Sequence, residues 1–412
     1  MRLAWLAALA ALASSSPGPA GAQEPARLAA TVPVALDHNR MLVEAQFQRP
    51  DGSWRTARLW VDTGNPDFFM TASLARDLGI EFRAPADTGA GGQAEPVPAT
   101  APKSLRVGGL DLSLEGVSAV VMPEPHWMYT TMHNDGNLPS TVLMHWQVAF
   151  DYPKRQLTLA RPGSFPPRGV RAPASVNPRT GIVQIDATLG GDSLSLALDN
   201  GASYSFLSEE EVARLARRHP DWPRGAGAVG CANIWGQWPQ EAAWPLVRAP
   251  ELQWGPVRLE QVGLVGLPRF FPNGSALGDW YSQKAARHVD GFLGPNAFRA
   301  FRVEIDYAGG AVYFERGAES DAHDLDLVGL TLQPQADGSY RVLGVASRDG
   351  RPAVAGVEPG DVLLQVGDLK ATGATMGAVV DALRGAPGEA RSLVLERGGR
   401  QLRVEAKVVR FL

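Results

Sequence analysis

With 412 residues, 45% of them apolar and 20% charged, and with 45 glycines and 32 prolines, the sequence describes a turn-rich globular protein of two or three domains, which excludes a disordered or fibrous chain. Its 39 basic and 43 acidic residues leave a net charge of -4 with no basic block, so nucleic acid is not an expected partner. A single cysteine, Cys231, rules out an internal disulfide; "AVGCANI" offers neither base nor oxyanion site, and Cys231 reads as a small buried hydrophobe.

The chain opens with "MRLAWLAALAALASSSPGPAGAQ", one arginine, an apolar run and an Ala20-Gly21-Ala22 cleavage pattern. This is the form of a secretory signal over residues 1–22, and the expected mature protein is exported, periplasmic or secreted. No later segment is a continuous apolar span of membrane length.

Next in order come an apolar strand running into "VDTGNP" (61–66), a helix starting at Thr71 or Ser73, and the Gly-rich "ADTGAGG" (86–92). Alternating strands over "LRVGGLDLSLEGV" (105–117) follow, then "DGNLPSTVLMHWQVAFDYPKRQLTLAR" (135–161), with a Pro- and Arg-rich linker at 160–181. The same order then repeats. "LALDNGASYSFLS" places Asp199 and Gly201 over Asp62 and Gly64; Ser208 and Glu211 form a capping box; "LQWGPVRLEQVGL" (252–264) lies over 105–117; "DGFLGPNAFRAFRVEIDYAGGAVYFER" (290–316) matches 135–161 without a gap.

The repeat decides between two identical triplets. Asp62 has a strand before it, a helix after it and a partner one repeat away. Asp87 has no apolar strand leading into it and no counterpart in the second copy, so it belongs to a loop.

Two copies of apolar-apolar-Asp-[Thr/Asn]-Gly, each followed by an apolar-apolar-Gly or -Pro motif and a helix, resemble the bilobal aspartic proteases, most of all their bacterial retropepsin-like, pepsin-related members, over about residues 32 to 316. The segment from Asp324, with "PAVAGVEPGDVLLQVGD", a helix over 374–384 and a hairpin turning at Gly398-Gly399, resembles a PDZ domain. The resemblance implies a mainly β chain: two tandem β-barrel lobes (23–165 and 166–320) with an active site between them, and a small α+β PDZ-like domain (324–412). It implies an aspartic endopeptidase with Asp62 and Asp199 as catalytic residues, and Thr63, Gly64, Asn200, Gly201 and Gly294 supporting the catalytic loops. It further implies that amides near Gly329 and Leu330 receive a peptide's C-terminal carboxylate. Peptides or unfolded proteins are the implied substrates, with no cofactor and no metal. Two close carboxylates suit this chemistry, because like charges share one proton and so supply a base and an acid together.

Three departures from the family pattern leave a catalytically inactive, peptide-binding descendant as the alternative. Asn200 stands where Thr or Ser is usual, Pro139 stands where copy two has Gly294, and Asn65-Pro66 follows Gly64. Pro139 is expected to disturb the strand supporting Asp62, since proline lacks the amide and fixes φ.

Other signals are weaker. "GDSL" (191–194) sits at a hairpin turn; His126, His133 and His145 match no ligand spacing and read as surface or satisfied histidines. Trp235, Trp238, Trp244, Trp254 and Trp280, with Tyr281, read as core, with cleft lining as the functional alternative.

Overall fold

The computed structural model describes residues 28–83, 96–122, 124, 129, 131–227, 239–269, 277–348 and 350–412. The leader, Asp87 with its Gly-rich surroundings, His126, Cys231, Trp235 and Trp238 lie outside the described residues. Among those described, the chain is mainly β, with two aspartic-protease-like lobes and a further domain.

Period-two sequence becomes strand. Along Val183–Leu189, Ile185, Ala187 and Leu189 are buried while Asp186 and Thr188 face out. The strands that end in the triplets, Trp54–Asp62 and Asp192–Leu198, lose this alternation near their C-termini. Leu59, Trp60, Val61 and Asp62 are all buried, as are Leu196, Ala197 and Leu198, so these segments read as continuous apolar runs.

The sequence repeat is a repeat of topology. In lobe 1, Gly136–Pro139 pairs parallel with Trp54–Asp62 and antiparallel with Phe68–Thr71, which pairs parallel with Ala119–Met122. In lobe 2, Gly291–Leu293 pairs parallel with Asp192–Leu198 and antiparallel with Ser205–Ser208, which pairs parallel with Val257–Leu267.

The repeated Asp-Gly pair has a task in each copy. Asp135 accepts from the Arg58 amide at 2.8 Å, and Asp290 from the Ser195 amide at 2.7 Å, at the same point four residues before each triplet aspartate. A Cβ on Gly136 would stand 2.3 Å from the Phe69 carbonyl oxygen, and one on Gly291 2.2 Å from that of Phe206. Only glycine lets these backbones approach.

Helices start where capping residues allow. Thr71 caps Ala72–Asp77 by accepting from the Leu74 amide at 3.1 Å, and Ser208 caps Glu209–Arg218 by accepting from the Glu211 amide at 3.1 Å. The helices after the Asp-Gly strands are shorter than the repeat suggests, Ser140–Leu143 and the 3-10 turn Pro295–Ala297, because the chain turns back at once into Gln147–Asp151 and Phe301–Asp306.

Those two returning strands carry the repeated Asp-Tyr pairs and lie side by side. Their antiparallel pairing joins the lobes in one six-stranded sheet, in the order Ala29–Pro33, Gln156–Ala160, Gln147–Asp151, Phe301–Asp306, Ala311–Arg316, Val170–Pro173. Part of the expected linker is therefore strand: Val170–Pro173 adds to the lobe 2 edge of the sheet, as Ala29–Pro33 does on the lobe 1 side.

Residues from Asp324 onward build a second core on another sheet, in the order Leu330–Pro334, Tyr340–Val345, Val362–Val366, Ala390–Arg397, Arg400–Lys407, with the helix Met376–Leu383. The "EPGD" turn is fastened by Asp361, which accepts from the Glu358 amide at 2.9 Å and from both Nε and Nη2 of Arg397. Gly398 and Gly399 both take positive φ, as their hairpin requires.

This domain is not a loose appendage. Its core is continuous with lobe 1 through Leu42, Trp60, Met122, Tyr129 and Met132. The N-terminus of its helix is satisfied from lobe 1, the Met376 amide by the Thr131 carbonyl at 2.7 Å and the Gly377 amide by the Asp37 carboxylate at 2.9 Å.

Candidate active site

The two triplets meet across the lobe junction. Asp62 and Asp199 are 4% and 6% exposed, the first at the end of Trp54–Asp62 and the second directly after Asp192–Leu198. A Cβ on Gly64 would lie 2.3 to 2.5 Å from all three carboxyl atoms of Asp199. One on Gly201 would lie 2.4 Å from Asp62 Oδ1 and 3.2 Å from Asp199 Oδ1, a single point within reach of both carboxylates. Each lobe's glycine thus lies against the other lobe's acid, which is why neither position tolerates a side chain.

The loops are tied together by Thr63 and Asn200. Thr63 Oγ1 accepts from the Asn200 amide at 3.0 Å and donates to the Leu198 carbonyl at 2.9 Å. In return Asn200 Oδ1 accepts from the Thr63 amide at 2.8 Å, taking the place of a hydroxyl. The cost of the substitution is the other end of the amide. Asn200 Nδ2 is buried and makes no well-formed hydrogen bond; what it faces is the buried Tyr152 hydroxyl, with which it interacts. We expect Thr63→Val, which keeps the volume and strands two buried backbone groups, to cost about 2–4 kcal/mol in denaturant unfolding, and Thr63→Ser to cost much less.

Pro139 does not prevent the supporting strand. It pairs with Asp62 in the parallel register, correcting the expectation of a disturbed support. The reason is a paired exchange. In lobe 2 the Gly294 amide donates to Ser205 Oγ at 2.9 Å, and a Cβ there would meet the Tyr204 carbonyl oxygen at 2.2 Å. In lobe 1 the residue matching Ser205 is Phe68, so no acceptor waits for an amide that proline lacks; Asn137 bridges instead, accepting from the Phe69 amide at 2.7 Å and donating to the Asp67 carbonyl at 3.0 Å. Asn65 and Pro66 are held through their carbonyls by the hydroxyls of Ser140 and Thr141.

Each aspartate keeps one oxygen on its glycine loop and gives the other to a side chain. Asp62 Oδ1 accepts from the Gly64 amide at 3.0 Å, and Oδ2 from Trp60 Nε1 at 3.1 Å. Asp199 Oδ1 accepts from the amides of Gly201 at 2.8 Å and Ala202 at 3.2 Å, and Oδ2 from the Tyr281 hydroxyl. Burial, then the Asp199 charge, holds Asp62 well above the ordinary carboxylate value. Burial raises Asp199 as well, opposed by the Tyr281 hydroxyl, the two amides and the Arg40 guanidinium. Arg40 reaches across from lobe 1, its Nε donating to the Gly201 carbonyl at 2.7 Å, while Asn39 Nδ2 donates to the Ser203 carbonyl at 2.7 Å.

Trp60 is legible as a neighbour of Asp62 in the sequence, since residues two apart on a strand share a face. Tyr281 stands in the sequence only as one of an aromatic cluster, and Arg40 carries no signal there at all, since both reach the site through tertiary contact.

The remaining sequence signals separate from the pair. Trp254 is core, its indole donating to the Pro173 carbonyl at 2.7 Å, and Trp244 is buried on Phe206. His133 and His145 are exposed, and the Gly190–Gly191 turn of "GDSL" is a hairpin turn with positive φ at both glycines. Gly329 takes a positive φ, and its Cβ would lie 2.9 Å from the Phe411 ring, so the chain's own Phe411 covers that loop; Leu330 is buried beside it.

No curated protein matches the sequence. Residues 48–143, the span that carries Asp62, Thr63, Gly64 and the Gly136–Pro139 support, match the family model described as Aspartyl protease.

Proposed function

We propose that the chain is an aspartic-type endopeptidase, exported on its N-terminal leader, that hydrolyses peptide bonds with water held between Asp62 and Asp199. The observation that carries this reading is the pair itself: two buried carboxylates from two repeats, close enough that one point reaches an oxygen of each. Such a pair carries one proton at working pH. The ionised member takes a proton from water as the water attacks the carbonyl, the protonated member supplies its own to the carbonyl oxygen, and the proton taken from water then goes to the leaving nitrogen. Carboxyls this close titrate as a coupled unit, as the paired acids of aspartic proteases do. Thr63, Asn200, Gly64 and Gly201 support the reaction by fixing the loops across the junction.

Asn200 and Pro139, which favoured a non-catalytic protein, leave the two carboxylates together, so that alternative loses its motivation. The PDZ-like domain serves in this proposal as a buttress of the lobes, and peptide capture at Gly329 and Leu330 requires Phe411 to move. The test is hydrolysis of an unfolded protein mixture from acid to neutral pH by the mature chain, beside Asp62→Asn and Asp199→Asn. Each variant should lose activity by about 10³-fold or more. Hydrolysis surviving both substitutions removes the proposal.

A further inference from the structure

We propose that Tyr281 is a positioning residue that makes Asp199 the ionised base of the pair and leaves the proton on Asp62. The inference rests on the proposed hydrolytic role of the two aspartates and assigns their parts.

The donors around the two acids are unequal. Asp199 receives hydrogen bonds from the Tyr281 hydroxyl and the amides of Gly201 and Ala202, whereas Asp62 receives its amide bond from Gly64 and an indole bond from Trp60, with the Asn137 side chain as the smallest of its donors and no phenol among them. A phenol oriented on a carboxylate oxygen makes a strong bond to the ionised form. The charged and titratable groups facing Asp199 are Arg40 from the lobe 1 hairpin, whose charge favours the ionised form, Asp62 from the opposite loop, whose charge opposes it, Tyr152 from the shared sheet and Tyr281 from its helix. Burial, then the Asp199 charge, keeps the Tyr281 phenol far above its ordinary value, so it remains a donor.

The phenol is held firmly enough to act this way. Tyr281 lies on the helix Leu277–Lys284, its ring 5.3 Å from Phe292 and 4.9 Å edge-on from Trp280. The end of that helix is pinned to the lobe, the Lys284 carbonyl accepting from Asn177 Nδ2 and Thr180 Oγ1 at 2.9 and 2.6 Å. Ser282 Oγ accepts from the Val289 amide at 2.9 Å, fastening the helix to the segment that leads into Gly291–Leu293. A tyrosine on a pinned helix keeps its hydroxyl in place through the reaction.

The protons then move in a fixed order. Asp199 removes the water proton while Asp62 donates its own to the carbonyl oxygen, giving a gem-diol; as the C–N bond breaks, the proton on Asp199 passes to the leaving nitrogen and Asp62 recovers one from a gem-diol hydroxyl, restoring the resting pair.

The two side-chain donors give opposite signatures in the pH profile of kcat/KM. Tyr281→Phe keeps the ring and removes the donor, so ionised Asp199 is disfavoured and the acid limb should move up by about one pH unit, the equivalent of a charge-assisted hydrogen bond at its weaker end. Trp60→Phe removes the donor of Asp62, so the alkaline limb should move up while the acid limb stays. An acid limb unmoved in Tyr281→Phe overturns the assignment, as does an acid limb that moves in Trp60→Phe instead.

A readout independent of turnover separates this from failure of the proposed activity. In protein carrying 13C at the aspartate carboxyls, with resonances assigned from Asp62→Asn and Asp199→Asn, the Asp199 titration midpoint should rise in Tyr281→Phe. A midpoint that stays in place overturns the inference even if both aspartates prove essential. A rise in a chain whose hydrolysis survives both Asn substitutions would uphold the electrostatic role and remove only the endopeptidase reading. If Tyr281→Phe does not fold, the wild-type order of titration decides: Asp62 ionising before Asp199 overturns the assignment.

Discussion

Asp199→Asn is expected to melt at a higher temperature than the native chain at neutral pH while losing hydrolysis. Both triplet carboxyls are held above the ordinary value of 3.8, chiefly by burial. A raised acid contributes stability that is fully present below the unfolded value and is lost as pH rises through the folded value. At neutral pH the native protein has therefore given up that contribution, and it keeps two acids in one buried site. Asparagine does not titrate. Its oxygen can still accept from the Gly201 and Ala202 amides, and its nitrogen can donate to the Tyr281 oxygen, which turns from donor to acceptor. The gain should be a few degrees near pH 7 and should shrink as pH falls toward and below 3.8. Scanning calorimetry of the two proteins over that range is the measurement. A variant less stable than the native chain at neutral pH would show that the site does not strain against its second charge.

Asp324→Ala should be among the most destabilising single changes in the chain, at about 3–5 kcal/mol. Asp324 Oδ1 meets Arg248 Nη2 at 2.7 Å, the two side chains being 1% and 2% exposed. Removing the acid leaves a buried guanidinium that keeps the bond from its Nη1 to the Gln261 carbonyl at 2.8 Å but loses its counter-charge. The damage does not stop there. Asp324 Oδ2 also accepts from Asn296 Nδ2 at 3.1 Å, Asn296 Oδ1 accepts from the amide and hydroxyl of Ser205, and Ser205 Oγ accepts from the Gly294 amide. The first residue of the C-terminal segment thus anchors the loop behind Asp199. Urea unfolding should show the loss, with Asp324→Asn intermediate because it can keep the bond from Asn296 only by giving up charge. A cost under about 1 kcal/mol would mean that Arg248 finds water or another acceptor.

The same chain of contacts explains why the C-terminal domain cannot be treated as a passenger. Trp60, whose indole holds Asp62, packs 6.3 Å from the Tyr129 ring and shares its core with Met376, Val379 and Leu383. A change in how that domain sits reaches one acid through Trp60 and the other lobe through Asp324.

Much of this was legible from the residues alone. The gapless match of 135–161 to 290–316 placed Asp135 and Asp290, Gly136 and Gly291, and the two Asp-Tyr strands, and each pair occupies equivalent places in the fold. Strand context pointed to Asp62, which does lie at the end of a buried strand, while Asp87 lies outside the described residues. These features are local: a buried strand writes its burial into consecutive residues, and a tight turn or close approach writes glycine at one position.

What the sequence could not decide are the contacts between segments far apart in the chain. Asn200 looked damaging because its usual counterpart has a hydroxyl, yet its amide oxygen lies where the Thr63 amide needs an acceptor, 137 residues away. Pro139 looked damaging for want of an amide, yet Phe68 had already removed the acceptor that amide would need. Tyr281 reaches Asp199 across 82 residues, and Arg40 reaches the Gly201 carbonyl across 161. Periodicity fixes which face a side chain takes, but only the packing of helix, hairpin and lobe fixes what it meets there, because a hydrogen bond forms within a few tenths of an ångström and no local pattern carries that distance.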